Sequence, residues 1–188
     1  MKPLTLTNGP LSFSAHTWGL DNNDGEIVIC LHGFPDNPYT FHGQAPALVE
    51  AGYRVIAPTL RGYEPSSQPD DRDYSLGTIA RDVIAWIEAL PDERVHLVGH
   101  DWGAAITYLA GSLAPDRFLS LTTIAVPHAA RFDRGVRKIP TQIYRSWYMS
   151  FFQLRGVAEW AIQANQWALI RRLWGQWSPG HALSRSEW

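Results

Sequence analysis

The chain is poor in sulfur and has no long apolar run. Its 188 residues include one cysteine and two methionines. A lone cysteine excludes an intrachain disulfide, and Cys30 falls inside the apolar stretch 27–31, so a buried thiol is expected. No Cys/His spacing suits zinc, and neither a metal nor another cofactor is expected. No stretch of roughly eighteen apolar residues offers a membrane span, and the opening MKPLTLTNGP lacks the apolar run of a secretory signal. Internal repeats and low-complexity tracts are also missing. A soluble cytoplasmic protein without a membrane partner is therefore expected.

What is present is ordinary globular composition, 45% hydrophobic with a formal net charge of −2. That balance conceals a division. Residues 1–128 carry 7 basic and 15 acidic side chains, residues 129–188 carry 9 and 3, and six of the nine tryptophans follow residue 146. Two units are expected, a core over 1–128 and a helical subdomain over 129–188. Arg171-Arg172 and the surrounding basic excess read as a solvated helix face, because no aromatic platform is interleaved with them, and no nucleic-acid partner is expected.

In the first unit, short apolar runs alternate with amphipathic helical stretches, the pattern of a mostly parallel sheet with helices on both faces. A hairpin is expected over 4–7 and 11–17 about Asn8-Gly9. Residues 27–31 are apolar throughout, as in a strand buried on both faces. A helix over 39–51, stopped by Gly52, leads to a strand over 54–57 that Pro58 ends. Ser75 caps a helix in which Ile79, Val83, Trp86, Ile87 and Leu90 recur at helical spacing. A strand over 95–98, a helix over 102–113 and a sixth strand over 119–126 follow. In the second unit, Pro140 can open a helix whose Tyr144, Trp147, Tyr148, Phe151 and Phe152 share a face. Trp160, Trp167 and Trp174 form a heptad-spaced stripe. Both stripes are expected to pack helices together.

Gly99-His100-Asp101-Trp102-Gly103 carries the chemistry. It fits the small-x-nucleophile-x-small pattern of a nucleophile elbow, with Asp in place of the commoner Ser. The turn forces its central residue into strained backbone, and the glycines are needed where the following helix crosses the sheet. Such a turn projects a carboxylate past the end of its strand, against the positive end of a helix. The alternative is an aspartate that merely caps that helix. The flanking glycines and the apolar strand favour the elbow.

GHDWGA together with HGFP at residues 32–35 resembles the α/β-hydrolase superfamily, and within it the epoxide hydrolases and haloalkane dehalogenases. HGFP favours the epoxide hydrolases. The resemblance implies an α/β-hydrolase fold with a partial helical cap over 129–188. It implies that Asp101 attacks an epoxide carbon to give a covalent alkyl-enzyme ester, and that the Phe34 and Trp102 N–H groups form an oxyanion hole, with His32, Gly33 and Pro35 shaping the loop. Because YMSFFQLRGVAE looks like the family's cap helix, Tyr148 is implied as the acid that protonates the leaving alkoxide. The substrate would be a small, mainly apolar epoxide.

Departures from the family are equally informative. Its Asp-x-Arg-Gly-Tyr-Gly stretch is replaced by Thr59-Leu60-Arg61-Gly62-Tyr63-Glu64, and Arg61 is expected to be structural. Family members return from the cap to two further strands bearing an acid and a water-activating histidine, for which only His128 and His181 are topologically conceivable substitutes here. The chain is therefore expected to be a fragment whose sixth strand, left as an apolar edge, favours self-association. Two other readings stay open. One is a haloalkane dehalogenase, with the Trp102 indole N–H on the released halide. The other is a non-catalytic hydrolase fragment acting as a binding module.

Overall fold

The computed structural model describes residues 2–91, 94–128, 130–131, 147–154, 156–178 and 180. They fall into two compact units, Met1–Ala129 and Ala130–Trp188. In the first unit the strands are β1 (Lys2–Asn8), β2 (Leu11–Trp18), β3 (Ile27–Leu31), β4 (Arg54–Pro58), β5 (Val95–His100) and β6 (Phe118–Ile124). They form one sheet in the order β1-β2-β4-β3-β5-β6. β1 and β2 are antiparallel, as are β2 and β4, whereas β3, β4, β5 and β6 run parallel. The parallel crossovers pass through α1 (Ala45–Glu50), α2 (Leu76–Glu88) and α3 (Trp102–Leu113).

β3 is buried along its whole length, and its alternation divides the core in two. Ile27, Ile29 and Leu31 face the side covered by α2 and α3, where they join Val83, Trp86, Leu97 and Ile106. Phe13 meets Trp86 there edge to face, with ring centroids 4.9 Å apart. Val28 and Cys30 face the other side, with Val55, Ala57, Phe41 and Ala45. Sheet and helices thus make three layers, and the C-terminal ends of β3, β4 and β5 open at one end.

Burial pushes the Cys30 thiol up to about 12, because a thiolate there would lose its solvation. Below that pH it stays a neutral thiol. A thiol-specific reagent at pH 8 is therefore expected to leave native Cys30 unmodified and to label it only in denaturant. Stoichiometric labelling of the native chain would contradict the packing of β3.

Several expected elements are corrected by the structure. The hairpin turn is Gly9-Pro10 and not Asn8-Gly9: Asn8 pairs with Leu11 inside the ladder, and Gly9 takes φ +57°. The single helix over 39–51 is a 3₁₀ turn, Pro38–His42, followed by α1. Pro46 explains the break, since in a continuous helix its ring would meet the carbonyl four residues back, whereas at the start of α1 it is tolerated. Gly52 does take the left-handed conformation, at φ +94°. β6 ends at Ile124 and lies at the sheet edge, with Leu121 and Ile124 exposed.

The second unit contains α4 (Trp147–Phe151), α5 (Val157–Gln163) and α6 (Ala168–Trp177) among its described residues. Asn165, Gln166 and Trp167 all have positive φ, so the chain breaks between α5 and α6 and no single helix carries the tryptophan heptad. Trp160 and Trp167 are 71% and 54% exposed, which corrects for these two the expectation that the stripe packs helices, whereas Trp174 is half-buried. Ala158 and Leu173 are buried instead. Pro140, Tyr144 and His181 lie outside the described residues. Among the described residues no helix is long and apolar enough to cross a membrane.

Candidate active site

β5 turns into α3 at Asp101, whose backbone lies at φ +52°, ψ −118°. That conformation costs on the order of 1–3 kcal/mol for a non-glycine residue, so the surroundings must impose it. They do. The Asp101 N–H donates to the Ile124 carbonyl of β6 at 3.2 Å, and its own carbonyl accepts from the Ala104 N–H at 2.9 Å. A Cβ on Gly99 would strike the Gly103 carbonyl, and one on Gly103 would strike the Leu31 carbonyl. Only glycine at both positions lets α3 cross the ends of β3 and β5 this closely.

The Asp101 side chain does not cap its own helix. Its Oδ1 accepts from the Phe34 N–H, 3.0 Å away on the loop after β3. Among the described residues, Oδ2 has no hydrogen-bond partner. One carboxylate oxygen is thus held by a backbone donor and the other is not. Trp102, 36% exposed, opens α3 beside it.

The loop that carries Phe34 is fixed from within. Gly33 has no room for a Cβ, which would stand 2.6 Å from Asp101 Oδ1. His32 is fully buried, and its Nε2 accepts from the Leu60 N–H at 3.1 Å. An accepting Nε2 places the ring proton on Nδ1, which donates to the Gly33 carbonyl at 2.9 Å. Burial lowers the pKa of this ring, against the opposing pull of the Gly33 carbonyl and the charges of Asp36 and Asp101, so the neutral form is favoured. The Phe34–Pro35 bond is cis. His32, Gly33, Phe34, Pro35 and Asp101 are therefore brought together as one cluster at the C-terminal ends of β3 and β5.

Tyr148 belongs to the second unit, on α4, where its ring lies 4.7 Å from that of Trp177 and 5.9 Å from that of Phe152. His128 packs edge to face against Tyr108 at 4.9 Å, and the Tyr108 hydroxyl donates to the Val126 carbonyl. His96 lies near the start of β5, at the opposite end of the sheet from Asp101, between Glu26 and Ser120. Arg61 is structural, as expected. It forms a two-pronged ion pair with Asp82 of α2, Nε to Oδ2 at 2.7 Å and Nη2 to Oδ1 at 2.6 Å.

Sequence reasoning missed Tyr63 and Glu64. Tyr63 donates from its hydroxyl to the Gly33 carbonyl at 3.2 Å and meets His32 edge to face at 4.7 Å. The Glu64 carboxylate accepts from the Ser14 N–H at 2.6 Å and the Ser14 hydroxyl at 2.8 Å. A charged residue where the family pattern has glycine was the one available signal.

Residues 26–165 match the family model described as alpha/beta hydrolase fold. The AB hydrolase superfamily protein YfhM of Bacillus subtilis is 35% identical over 182 residues, covering 96% of this chain and 62% of that protein. Epoxide hydrolase A of Mycobacterium tuberculosis is 34% identical over 160 residues, covering 81% and 48%. Among solved structures, the epoxide hydrolase VrEH1 of Vigna radiata superposes with a TM-score of 0.70 at 27% identity, over 86% of this chain and 53% of that one. The chain spans less than two thirds of each of these relatives. Its six-stranded, mostly parallel sheet, its strand-to-helix turn at Asp101 and the match over residues 26–165 agree: the chain belongs to the α/β-hydrolase fold family.

Proposed function

We propose that this chain is the nucleophile-bearing part of an epoxide hydrolase acting on a small, mainly apolar epoxide. The observation that carries the reading is the Asp101 carboxylate, turned away from its own helix with Oδ1 on the Phe34 N–H and Oδ2 unbonded among the described residues. Oδ2 attacks an epoxide carbon. A carbon–oxygen ester bond forms, the epoxide carbon–oxygen bond breaks, and its electron pair leaves on oxygen as an alkoxide. Tyr148, assigned by resemblance, supplies the proton and recovers it from solvent.

In the second step water adds to the ester carbonyl of Asp101. Oδ1, already against the Phe34 N–H, becomes the oxyanion, with the Trp102 N–H as its second donor by resemblance. The Cγ–Oδ2 bond then breaks, Oδ2 leaves in the diol with one proton of the water, the water oxygen takes its place in the restored carboxylate, and the second proton returns to solvent in exchange for the one Tyr148 recovered. We assign none of the described histidines as the base for that water. Both nitrogens of His32 are engaged, and His96 sits at the wrong end of β5.

A haloalkane dehalogenase is the nearest rival, and a carbon–halogen bond needs no tyrosine acid because halide leaves unprotonated. Tyr148→Phe separates the two. The variant is expected to slow covalent capture of styrene oxide about 10²-fold, the usual worth of a general acid, and to leave capture of 1-bromobutane unchanged. Full epoxide capture by Tyr148→Phe would remove Tyr148 from the mechanism.

A further inference from the structure

We propose that Tyr63 is a positioning residue for the reaction at Asp101: its hydroxyl pins the Gly33–Phe34 peptide so that the Phe34 N–H is aimed at the carboxylate. The inference rests on the reading of Asp101 as nucleophile. Its physical basis is the planarity of the peptide unit, in which the carbonyl of one residue and the N–H of the next point in opposite directions and rotate together. Whatever fixes the Gly33 carbonyl also fixes the Phe34 N–H.

Two donors fix that carbonyl, the His32 Nδ1–H at 2.9 Å and the Tyr63 hydroxyl at 3.2 Å. The N–H at the other end of the same peptide donates to Asp101 Oδ1 at 3.0 Å. Hydrogen bonds in series polarise one another, so donors on the carbonyl also strengthen the N–H that serves the carboxylate. Tyr63 is 42% exposed, yet its hydroxyl end turns inward to this peptide. Burial of that end, with the charges of Asp101 and Asp36, pushes the phenol above its ordinary range and keeps it a donor.

Tyr63 can act as a brace only if its own loop is held, and the loop is held on both sides. Arg61 is locked to Asp82 on α2. Glu64 is locked to Ser14 on β2, and the Ser14 hydroxyl also lies 2.9 Å from that of Thr59. Thr59 and Glu64 are the two places where the chain departs from the family's Asp-x-Arg-Gly-Tyr-Gly stretch. Together they tie the loop to the antiparallel part of the sheet. Gly62, at φ +88°, completes the turn, with the Tyr74 ring where a Cβ would stand.

The test is Tyr63→Phe in the 188-residue chain, which keeps the ring against His32 and removes one hydroxyl. In a ¹H–¹⁵N spectrum the Phe34 amide proton is expected to move upfield and to exchange faster with solvent. This readout needs no turnover. With styrene oxide, intact-mass kinetics are expected to show the ester on Asp101 lasting about tenfold longer, a fraction of the 10²–10³ attached to losing an oxyanion donor outright. The half-saturating concentration for capture should be unchanged. A merely structural tyrosine would lower the melting temperature and leave the Phe34 amide and the ester lifetime alone. An unmoved Phe34 amide overturns the proposal. If the unmodified chain captures no epoxide, the nucleophile reading fails instead, and the amide shift still decides whether Tyr63 orients the peptide.

Discussion

Asp101→Asn is expected to reduce capture of an epoxide by on the order of 10⁴-fold or more, the scale seen when a catalytic nucleophile is removed, while leaving the fold intact. Asparagine is nearly isosteric with aspartate and has the same branching at Cβ, so the turn that holds Asp101 at φ +52°, ψ −118° holds it at about the same cost. Its amide oxygen can still accept from the Phe34 N–H. It cannot supply an anionic oxygen to attack carbon. Unfolding measurements should therefore place the variant within about 1 kcal/mol of the parent, the ordinary range for a substitution that leaves packing and backbone alone. Asp101→Gly extends the comparison: relief of the strained backbone is expected to raise stability by about 1 kcal/mol, again without reactivity. A destabilised Asp101→Gly would mean that the turn is not where strain is held.

The second large effect concerns the brace behind the site. Arg61 and Asp82 are 8% and 0% exposed, and the pair is completed by the Asn8 side-chain amide, which donates to Asp82 Oδ1 at 2.8 Å. Removing one partner leaves the other buried and uncompensated. Arg61→Ala and Asp82→Ala are each expected to cost about 3–5 kcal/mol, read as a melting temperature lower by roughly 10 °C. Arg61→Met with Asp82→Leu should cost much less than the two single losses together, because no buried charge is stranded. Added salt should change the pair's worth little, in contrast to the exposed contact between Arg117 and Glu88 at 3.5 Å. Additive single losses would show that the two charges are not coupled. Because Arg61 also anchors the loop bearing Tyr63, its loss is expected to disturb the Phe34 amide as well.

What could be read from the sequence was what local pattern determines. The unbroken apolar run 27–31 is a strand buried on both faces, and the spacing of Val83, Trp86 and Ile87 is the buried stripe of α2, with Ile79 half-buried against the same core. Gly99 and Gly103 announced a close crossing because no other residue leaves room for it. The misread elements each turned on a constraint that periodicity does not carry. Pro46 restarted a helix that the apolar spacing alone would have continued, and three positive-φ residues broke the tryptophan heptad. Asn8 was drawn into the ladder while its side chain reached Asp82, 74 residues away, so the turn fell on Gly9-Pro10.

The same distinction holds at the site. Asp101 and the loop 32–35 were recognisable as motifs, whereas the contact between Asp101 and Phe34 spans 67 residues and that between Tyr63 and Gly33 spans 30. Neither has a local signature. The tautomer of His32 is likewise set by the Leu60 N–H, which reaches it only because β4 lies beside β3 in the sheet.

Peptide mapping decides whether the Asp101 carboxylate captures an electrophile. The 188-residue chain, incubated with styrene oxide and digested, should carry the mass of one epoxide per chain, fragmenting to an ester on Asp101 within VHLVGHDWGAA. The adduct should be missing from Asp101→Asn and should be cleaved by mild base, as an ester is. An unmodified Asp101, or equal modification scattered over histidines and exposed carboxylates in both chains, would contradict the account.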